Sequence, residues 1–246
     1  MPAVETIPLA ERLQRTELLL GADTMARLDA AKVILFGVGG VGSWCAESLV
    51  RSGIRHLTIV DPDCVVPSNV NRQLMATMRT LGRPKVEALR ERLLEIFPEA
   101  EITALQAAYK AETAAEYNLD AYDYVLDCID PLKEKMLLIE HACLSRAQFF
   151  SSMGAALKLD PTKVRVAGFW DVQMDPLAKM LRKRFRQEGR SPARNFPCVW
   201  SEEAPERTGG VYTKESGRTN GSLSPITAIF GHTLSALVLR DLAAKA

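Results

Sequence analysis

The sequence predicts an α/β fold: a doubly wound, mostly parallel sheet carrying a C-terminal extension of strands, a basic helix and a long loop. Three observations carry that expectation. Val33-Ile34-Leu35-Phe36 is a short apolar run ended by glycine, the pattern of a strand buried on both faces. Gly37, Gly39 and Gly42 then spell G-x-G-x-x-G, and Val41, Trp44, Cys45 and Leu49 recur at helical spacing directly after it. From there to Gly154, apolar strand runs alternate with amphipathic helical stretches, which is the signature of right-handed crossovers in a parallel sheet.

Taken in order, Glu11–Leu20 reads as a helix with Leu13 inward and Arg12 and Arg15 available for contacts, and Gly21 stops it. Ala22–Ala30 is a second short helix. Strand Val33–Phe36, the glycine turn and its helix lead to strand His56–Val60, which ends in Asp61. Strand, glycine turn, helix, strand and aspartate make a Rossmann-like unit. Glycine lets the backbone turn sharply and approach a phosphate, helix N-terminal amides face an anion, and the aspartate can bond a ribose hydroxyl. The bland alternative is a glycine turn needed only for helix–sheet packing. Pro62–Gln73 has no periodicity and reads as a loop at the C-terminal sheet edge, where ligands of such sheets bind.

Leu81–Pro84 is a turn, and Lys85–Phe97 is a helix with Val86, Leu89, Leu93 and Ile96 on one face. Glu101–Leu105 is the third strand, Glu112–Asn118 a short helix, and Tyr122–Leu126 the fourth strand, ending in Asp127-Cys128-Ile129-Asp130. Leu132–Ser145 is helical, and Phe149–Ser152 is the fifth strand. Val164–Trp170 is a further strand, Asp171–Gln187 a basic helix, and Pro225–Ala244 the final helix. Between them, Gly189–Gly221 is rich in Gly, Pro, Ser and charge and reads as a lid, crossover or binding loop. The expected organisation is one unit over 1–246: N-terminal helices in 1–31, a nucleotide-binding core in 32–155, and a substrate-binding and dimer extension in 156–246.

Composition narrows the class. Hydrophobic residues make up 47% of the chain, enough for a full core and too many for disorder. Net charge is +1, so any nucleic-acid site must be a local patch. The five cysteines include no C-x-x-C pair, so no structural zinc is expected, and an unpatterned odd count suits a reducing, cytoplasmic setting. The N-terminus reads as carrying no signal peptide. Ile226–Leu239 is shorter than the ~20 apolar residues of a span and carries Thr227, His232, Thr233 and Ser235, so it reads as a buried or interface helix and no membrane partner is expected.

The polar residues at the sheet edge form a constellation: Asp61, Asn69, Arg72, Gln73, Lys85, Asp127 and Asp130. A dinucleotide enzyme needs the glycines and the ribose acid, but not an Arg, a Lys and a further Asp converging beside the phosphates. A triphosphate does. Arg72 and Lys85 can neutralise charge that develops during attack at phosphorus, and Asp130 can hold a magnesium ion on phosphate oxygens. The alternatives are a solvated charge for Arg72, a plain helix N-terminal residue for Lys85, and helix caps for Asp127 and Asp130.

Gly37-Val38-Gly39-Gly40-Val41-Gly42-Ser43-Trp44, Asp61-x-Asp63, Ser68-Asn69-x-x-Arg72-Gln73, Gly82-x-x-Lys85-Val86-Glu87 and Asp127-Cys128-x-Asp130 resemble, as an ordered set, the ubiquitin-activating-enzyme-like (ThiF/MoeB-type) superfamily. The resemblance implies adenylation of a carboxylate by ATP with release of pyrophosphate. It implies that the glycine loop (Gly37, Gly39, Gly40, Gly42) packs on the nucleotide, that Asp61 holds the ribose, and that Asn69, Arg72 and Lys85 contact the phosphates. Asp63, Gln73 and Asp127 join the nucleotide site, and Asp130 serves Mg2+. Arg15 looks like the family's N-terminal arginine that reaches the neighbouring subunit's ATP, which implies a homodimer.

Two departures narrow the branch. Members that activate sulfur-carrier proteins usually carry paired C-x-x-C motifs, and this chain has none. Its second half resembles the tRNA threonylcarbamoyladenosine dehydratase branch through Asp160-Pro161-Thr162, Asp175-Pro176-Leu177-Ala178-x-x-x-Leu181-Arg182, Cys198-Val199-x-Ser201-Glu202 and Phe230-Gly231. That branch adenylates the threonyl carboxylate of a modified adenosine next to the tRNA anticodon. The modification's own nitrogen then closes a hydantoin ring and AMP leaves, so no protein nucleophile is needed and Cys198 is not required. The segment around Gly209 and Gly217 departs from that branch. Lys179, Arg182, Lys183, Arg184, Arg186, Arg190 and Arg194 cluster in a near-neutral chain, and tRNA phosphates are the expected partner for Lys179, Arg182, Lys183 and Arg186. Leu177, Met180, Leu181 and Phe185 are expected to dock that helix. Competing readings are an adenylyltransferase for a ubiquitin-like sulfur carrier, and a non-catalytic nucleotide-binding scaffold for cysteine-desulfurase or sulfur-acceptor partners.

Overall fold

The computed structural model describes residues 7–204, 211–213 and 217–245. Two helices, α1 (Leu9–Leu20) and α2 (Ala22–Ala30), lead into β1 (Lys32–Phe36), α3 (Gly42–Arg51) and β2 (His56–Val60). Then come α4 (Lys85–Ile96), β3 (Glu101–Leu105), β4 (Tyr124–Asp127), α5 (Leu132–Leu144) and β5 (Gln148–Ser152). The chain continues through β6 (Val164–Gly168), α6 (Pro176–Gln187), β7 (Pro197–Ser201), a small pair β8 (Val211–Thr213) and β9 (Gly217–Thr219), and α7 (Ser224–Ala244).

One seven-stranded sheet runs in the order β3-β2-β1-β4-β5-β7-β6. Every neighbouring pair is parallel except β6 with β7. The strand order reverses at β1: the Gly37 N–H donates to Val60 O on one side, and the Cys128 N–H donates to Phe36 O on the other. A ligand crevice opens at such a reversal. Val33 and Leu35 point into the core shared with α3, α4 and α7, while Ile34 and Phe36 point into the core shared with α5 and α6. β1 is therefore apolar on both faces, as its continuous run requires.

Three expectations need correction. The basic helix expected over Asp171–Gln187 begins only at Pro176, where Asp175 caps it by accepting the Ala178 N–H. Glu112–Asn118 forms no α-helix. Short 3-10 turns at Ala114–Tyr117 and Leu119–Ala121 replace it, because Asn118 between them adopts the left-handed region at φ 40°. The 189–221 segment is not a continuous loop. Its centre, Pro197–Ser201, is β7, which inserts between β5 and β6 with Cys198, Val199, Trp200 and Ser201 all buried. The surrounding Gly, Pro and Ser masked a five-residue apolar strand. Gly217 opens β9, and Gly209 lies outside the described residues.

α7 is 21 residues long and apolar enough to cross a membrane by composition. Its stripe of Ile226, Phe230, Leu234, Val238 and Leu242 is instead buried inside the core. A Cβ on Gly231 would sit 2.5 Å from the Val41 carbonyl oxygen, so α7 lies directly against the start of α3. α1 buries no residue fully. Arg12 holds it down by bonding Glu99 at 2.5 Å and the Ile96 carbonyl at 3.4 Å.

Candidate active site

The glycine loop occupies the reversal point. Gly37 has φ +86°, and a Cβ there would fall 2.6 Å from the Cys128 carbonyl oxygen. A Cβ on Gly42 would fall 1.8 Å from the Gly37 carbonyl oxygen. Both positions therefore exclude any side chain. Gly39 differs: a Cβ there would meet nothing closer than Gln73 Nε2, at 3.8 Å, so packing leaves room at this position. Ser43, fully buried, bonds the Gly39 carbonyl at 2.7 Å and accepts the Leu74 N–H at 3.1 Å, tying the glycine loop to the Asn69–Gln73 loop.

Asp61 stands beside this loop. Its Oδ2 accepts the Val38 N–H at 2.8 Å and its Oδ1 accepts the Asp63 N–H at 2.9 Å. Burial pushes its carboxyl above the usual range, an effect that Lys85 and the two amides offset in part. Lys85 Nζ lies 2.7 Å from Asp63 and 3.8 Å from Asp61, with the lysine side chain 7% exposed and Asp63 63% exposed. One cation is thus held between a buried and a solvated carboxylate. An incoming polyphosphate can compete for it at the solvated side.

Arg72 donates through Nη1 to the Ser68 carbonyl at 2.8 Å and to Asn71 Oδ1 at 2.9 Å, and its own carbonyl accepts the Trp44 indole N–H at 3.1 Å. Its side chain also borders Gly40, where Thr227 of α7 closes the other side. Asn69 is buried and uses Oδ1 to accept the Val66 N–H at 3.1 Å, so it shapes the turn and keeps only its amide NH2 for a ligand. Gln73 is buried, and its Oε1 has no partner. An unpartnered buried acceptor beside a glycine with open space is the mark of a polar ligand site.

Asp127 does not present an oxygen to this crevice. Both Asp127 and Lys135 are 0% exposed, with Lys135 Nζ 2.7 Å from Oδ2. Ser151 Oγ donates to the same oxygen at 2.7 Å, and the Ile129 N–H bonds Oδ1 at 3.0 Å. Lys135 also bonds the Ile129 carbonyl at 3.1 Å. This network fixes the turn against which Gly37 packs, and it delivers Asp130 to the exposed sheet edge. Sequence reading missed Lys135. The available signal was its place on the same helical face as Leu138, Ile139 and Ala142.

Other candidates lie elsewhere. Arg15 is exposed on α1, the helix whose Arg12 bonds the Ile96 carbonyl at the end of α4. Arg182 is committed to the fold, donating to the Phe169 carbonyl at 2.7 Å with its guanidinium 5.8 Å from that ring. Met180 faces solvent, so Ala178, Leu181 and Phe185 dock α6. Cys198 is fully buried in β7, and burial pushes its thiol well up, which is the opposite of a nucleophile's environment. Among the described residues no group of three His, Cys, Asp or Glu could hold a metal, so Asp130 can serve Mg2+ only together with ligand oxygens.

A family model described as the ThiF family matches residues 12–245. The chain belongs to the ThiF family. It is 39% identical over 198 residues to the tRNA threonylcarbamoyladenosine dehydratase of Bacillus subtilis, covering 80% of this chain and 77% of that one. It is 30% identical over 254 residues to the Escherichia coli protein of that name, covering 96% and 95%. A crystal structure of the E. coli dehydratase in complex with ATP matches with a TM-score of 0.88 at 31% identity, over 99% of this chain and 98% of that one. The glycine loop, Asp61, Lys85 and Arg72 of this ThiF-family chain stand together at the strand-order reversal.

Proposed function

We propose that this chain is an ATP-dependent dehydratase that cyclises N6-threonylcarbamoyladenosine in tRNA to its hydantoin form. The observation that carries the reading is its likeness, over almost the whole length of both chains, to proteins with that activity in their names. The crevice supports the first half-reaction independently. Gly39 and the unpartnered Gln73 Oε1 fit a nucleotide, and Lys85 and Arg72 bring positive charge to where its phosphates would lie.

In the proposed sequence, Asp61 holds the ribose while Lys85 and Arg72 stabilise charge on the phosphates as a threonyl carboxylate oxygen attacks the α-phosphorus and pyrophosphate leaves. Asp130 would hold a Mg2+ ion, which would supply further neutralisation of phosphate charge. The modification's own nitrogen then attacks the activated acyl carbon. A C–N bond forms, the bond to AMP breaks and the nitrogen's proton is released. Ring closure needs no enzyme nucleophile, consistent with the buried thiol of Cys198. Arg15 completes the site of a partner subunit, so the active form is a homodimer, and the single chain divides its labour as N-terminal helices, nucleotide core and substrate extension.

The test incubates the purified protein with Mg–ATP and tRNA carrying the threonylcarbamoyl adenosine, then digests the tRNA for nucleoside mass spectrometry. Hydantoin nucleoside and AMP are expected in equal amounts. A folded, ATP-binding protein that leaves the nucleoside unchanged would overturn the reading.

A further inference from the structure

The surface beside α6 carries a feature that adenylation does not use. The N-cap of α6, Asp175, accepts the Gly154 N–H at 3.1 Å, which sets the start of the helix at the C-terminal edge of the sheet, just past β5. That edge also holds the glycine loop, and β5 adjoins β4 in the sheet. At the opposite edge the Phe169 N–H bonds the Phe196 carbonyl at 3.0 Å. Residues 170–174 therefore return along α6 toward the site. Arg182 clamps this return by its bond to the Phe169 carbonyl.

Trp170 opens the returning stretch. It is held edge-on against Phe169, centroid to centroid 5.0 Å, yet 43% of it is exposed. Met174, at φ 54°, and Met180 are exposed nearby in sequence on the same return and on α6. Lys179 and Arg186 lie three residues before and four after Arg182, so they flank the clamp on one helix face. Lys179, Lys183 and Arg186 are exposed and have no ion-pair partner among the described residues, whereas Arg184 pairs with Glu188 and Arg190 with Glu140. An exposed indole next in the chain to the Phe169 carbonyl that Arg182 bonds, beside a helix face with these three cations unpaired among the described residues, is the combination that holds single-stranded nucleic acid: bases stack on the ring and phosphates meet the charges.

We propose that Trp170 is a stacking platform for an unpaired base of bound RNA, with Lys179, Lys183 and Arg186 holding the flanking phosphates. The proposal rests on the tRNA-modifying reading and adds to it the class of nucleotide engaged: one splayed from the anticodon loop, because bases within an A-form stem offer no free face. Residues 170–174 and α6 then form a track that leads from the Trp170 platform to the sheet edge where the nucleotide crevice opens.

The experiment is filter binding of a synthetic anticodon-arm RNA hairpin across a salt series. It compares the wild-type protein with Trp170→Ala, Trp170→Phe and the double variant Lys179→Ala/Lys183→Ala, with ATP affinity and sedimentation as controls. Trp170→Ala is expected to weaken binding about 5- to 100-fold with an unchanged salt slope, since stacking displaces no counterion. Trp170→Phe is expected to retain most of the affinity. The lysine pair is expected to lower the slope by roughly 1.4, at about 0.7 for each single-strand phosphate contact. Binding that falls with the lysine pair but not with Trp170→Ala would overturn the platform and leave the tRNA reading intact. A wild-type protein that binds ATP but no hairpin would overturn both. A change in sedimentation with Trp170→Ala would overturn the platform by assigning the ring to a contact between copies.

Discussion

Lys85 and Lys135 invite comparison because each lies in the first turn of a helix and each is paired with an aspartate at or just past the C-terminal end of a strand. Their surroundings separate them. Lys135 and Asp127 are wholly enclosed, and Ser151 and the backbone of Ile129 add further hydrogen bonds to the pair. Lys85 is nearly enclosed, but its close partner Asp63 faces water and its buried partner Asp61 is farther, at 3.8 Å. A sealed ion pair, out of reach of any ligand, can only brace the backbone. A cation with one partner in solvent can change partners, which is what a phosphate-binding group must do. Charge type and the closest approach of 2.7 Å are the same in the two regions; the difference lies in whether a ligand can compete for the charge.

The largest effect expected from this contrast is on folding. Lys135→Met leaves Asp127 charged and enclosed without its counter-ion, and chemical denaturation should show a loss of about 3–5 kcal/mol. Adding Asp127→Asn should recover part of that loss. A Lys135→Met protein with wild-type stability and no activity would break the contrast, since Lys135 would then serve the reaction. Lys85→Ala should behave oppositely. Adenylation, followed by pyrophosphate release, should slow about 100-fold, or about 2.7 kcal/mol of lost barrier reduction. The unfolding midpoint should correspond to less than ~1 kcal/mol of change, and a loss as large as that of Lys135→Met would merge the two lysines into one class.

The smallest expected effect is a pH dependence at Asp61. Burial raises its folded pKa, so between the unfolded aspartate value of about 3.9 and that raised value the native state binds more protons than the unfolded chain. Stability therefore falls as pH rises through this window, by at most ~1.4 kcal/mol per pH unit. Comparing urea midpoints of wild-type and Asp61→Asn proteins across the window should show this component in the first and not in the second. Equal slopes would mean that Lys85 already neutralises Asp61 fully.

What the sequence discloses follows the same division between local and distant causes. The glycine turn, Asp61 and the amphipathic helices from Lys85 and Leu132 are readable because periodicity and backbone constraint are local properties of the chain. Lys135 was only half readable: its place on the apolar face of α5 is local, but its role shows only when its aspartate, on another element, is in place. β7 was hidden because its five residues owe their strand to neighbours at β5 and β6, not to their own flanks. Arg182 stood in the sequence as one more cation of a basic run, and only the Phe169 carbonyl and ring removed it from the RNA-facing set.

The insertion of β7 between β5 and β6 has a bearing on how the chain is made. Residues 164–168 leave the ribosome before residues 197–201, yet among the described residues their only partner in the sheet is the later strand. Until β7 arrives, the edge of β5 stands open and the stretch that becomes β6 has nothing to pair with, the condition under which nascent chains associate wrongly. The last step of sheet assembly is thus a closure in which one strand zips two borders at once, parallel on one side and antiparallel on the other. Chaperone engagement during synthesis should concentrate in the interval between the emergence of β5 and that of β7.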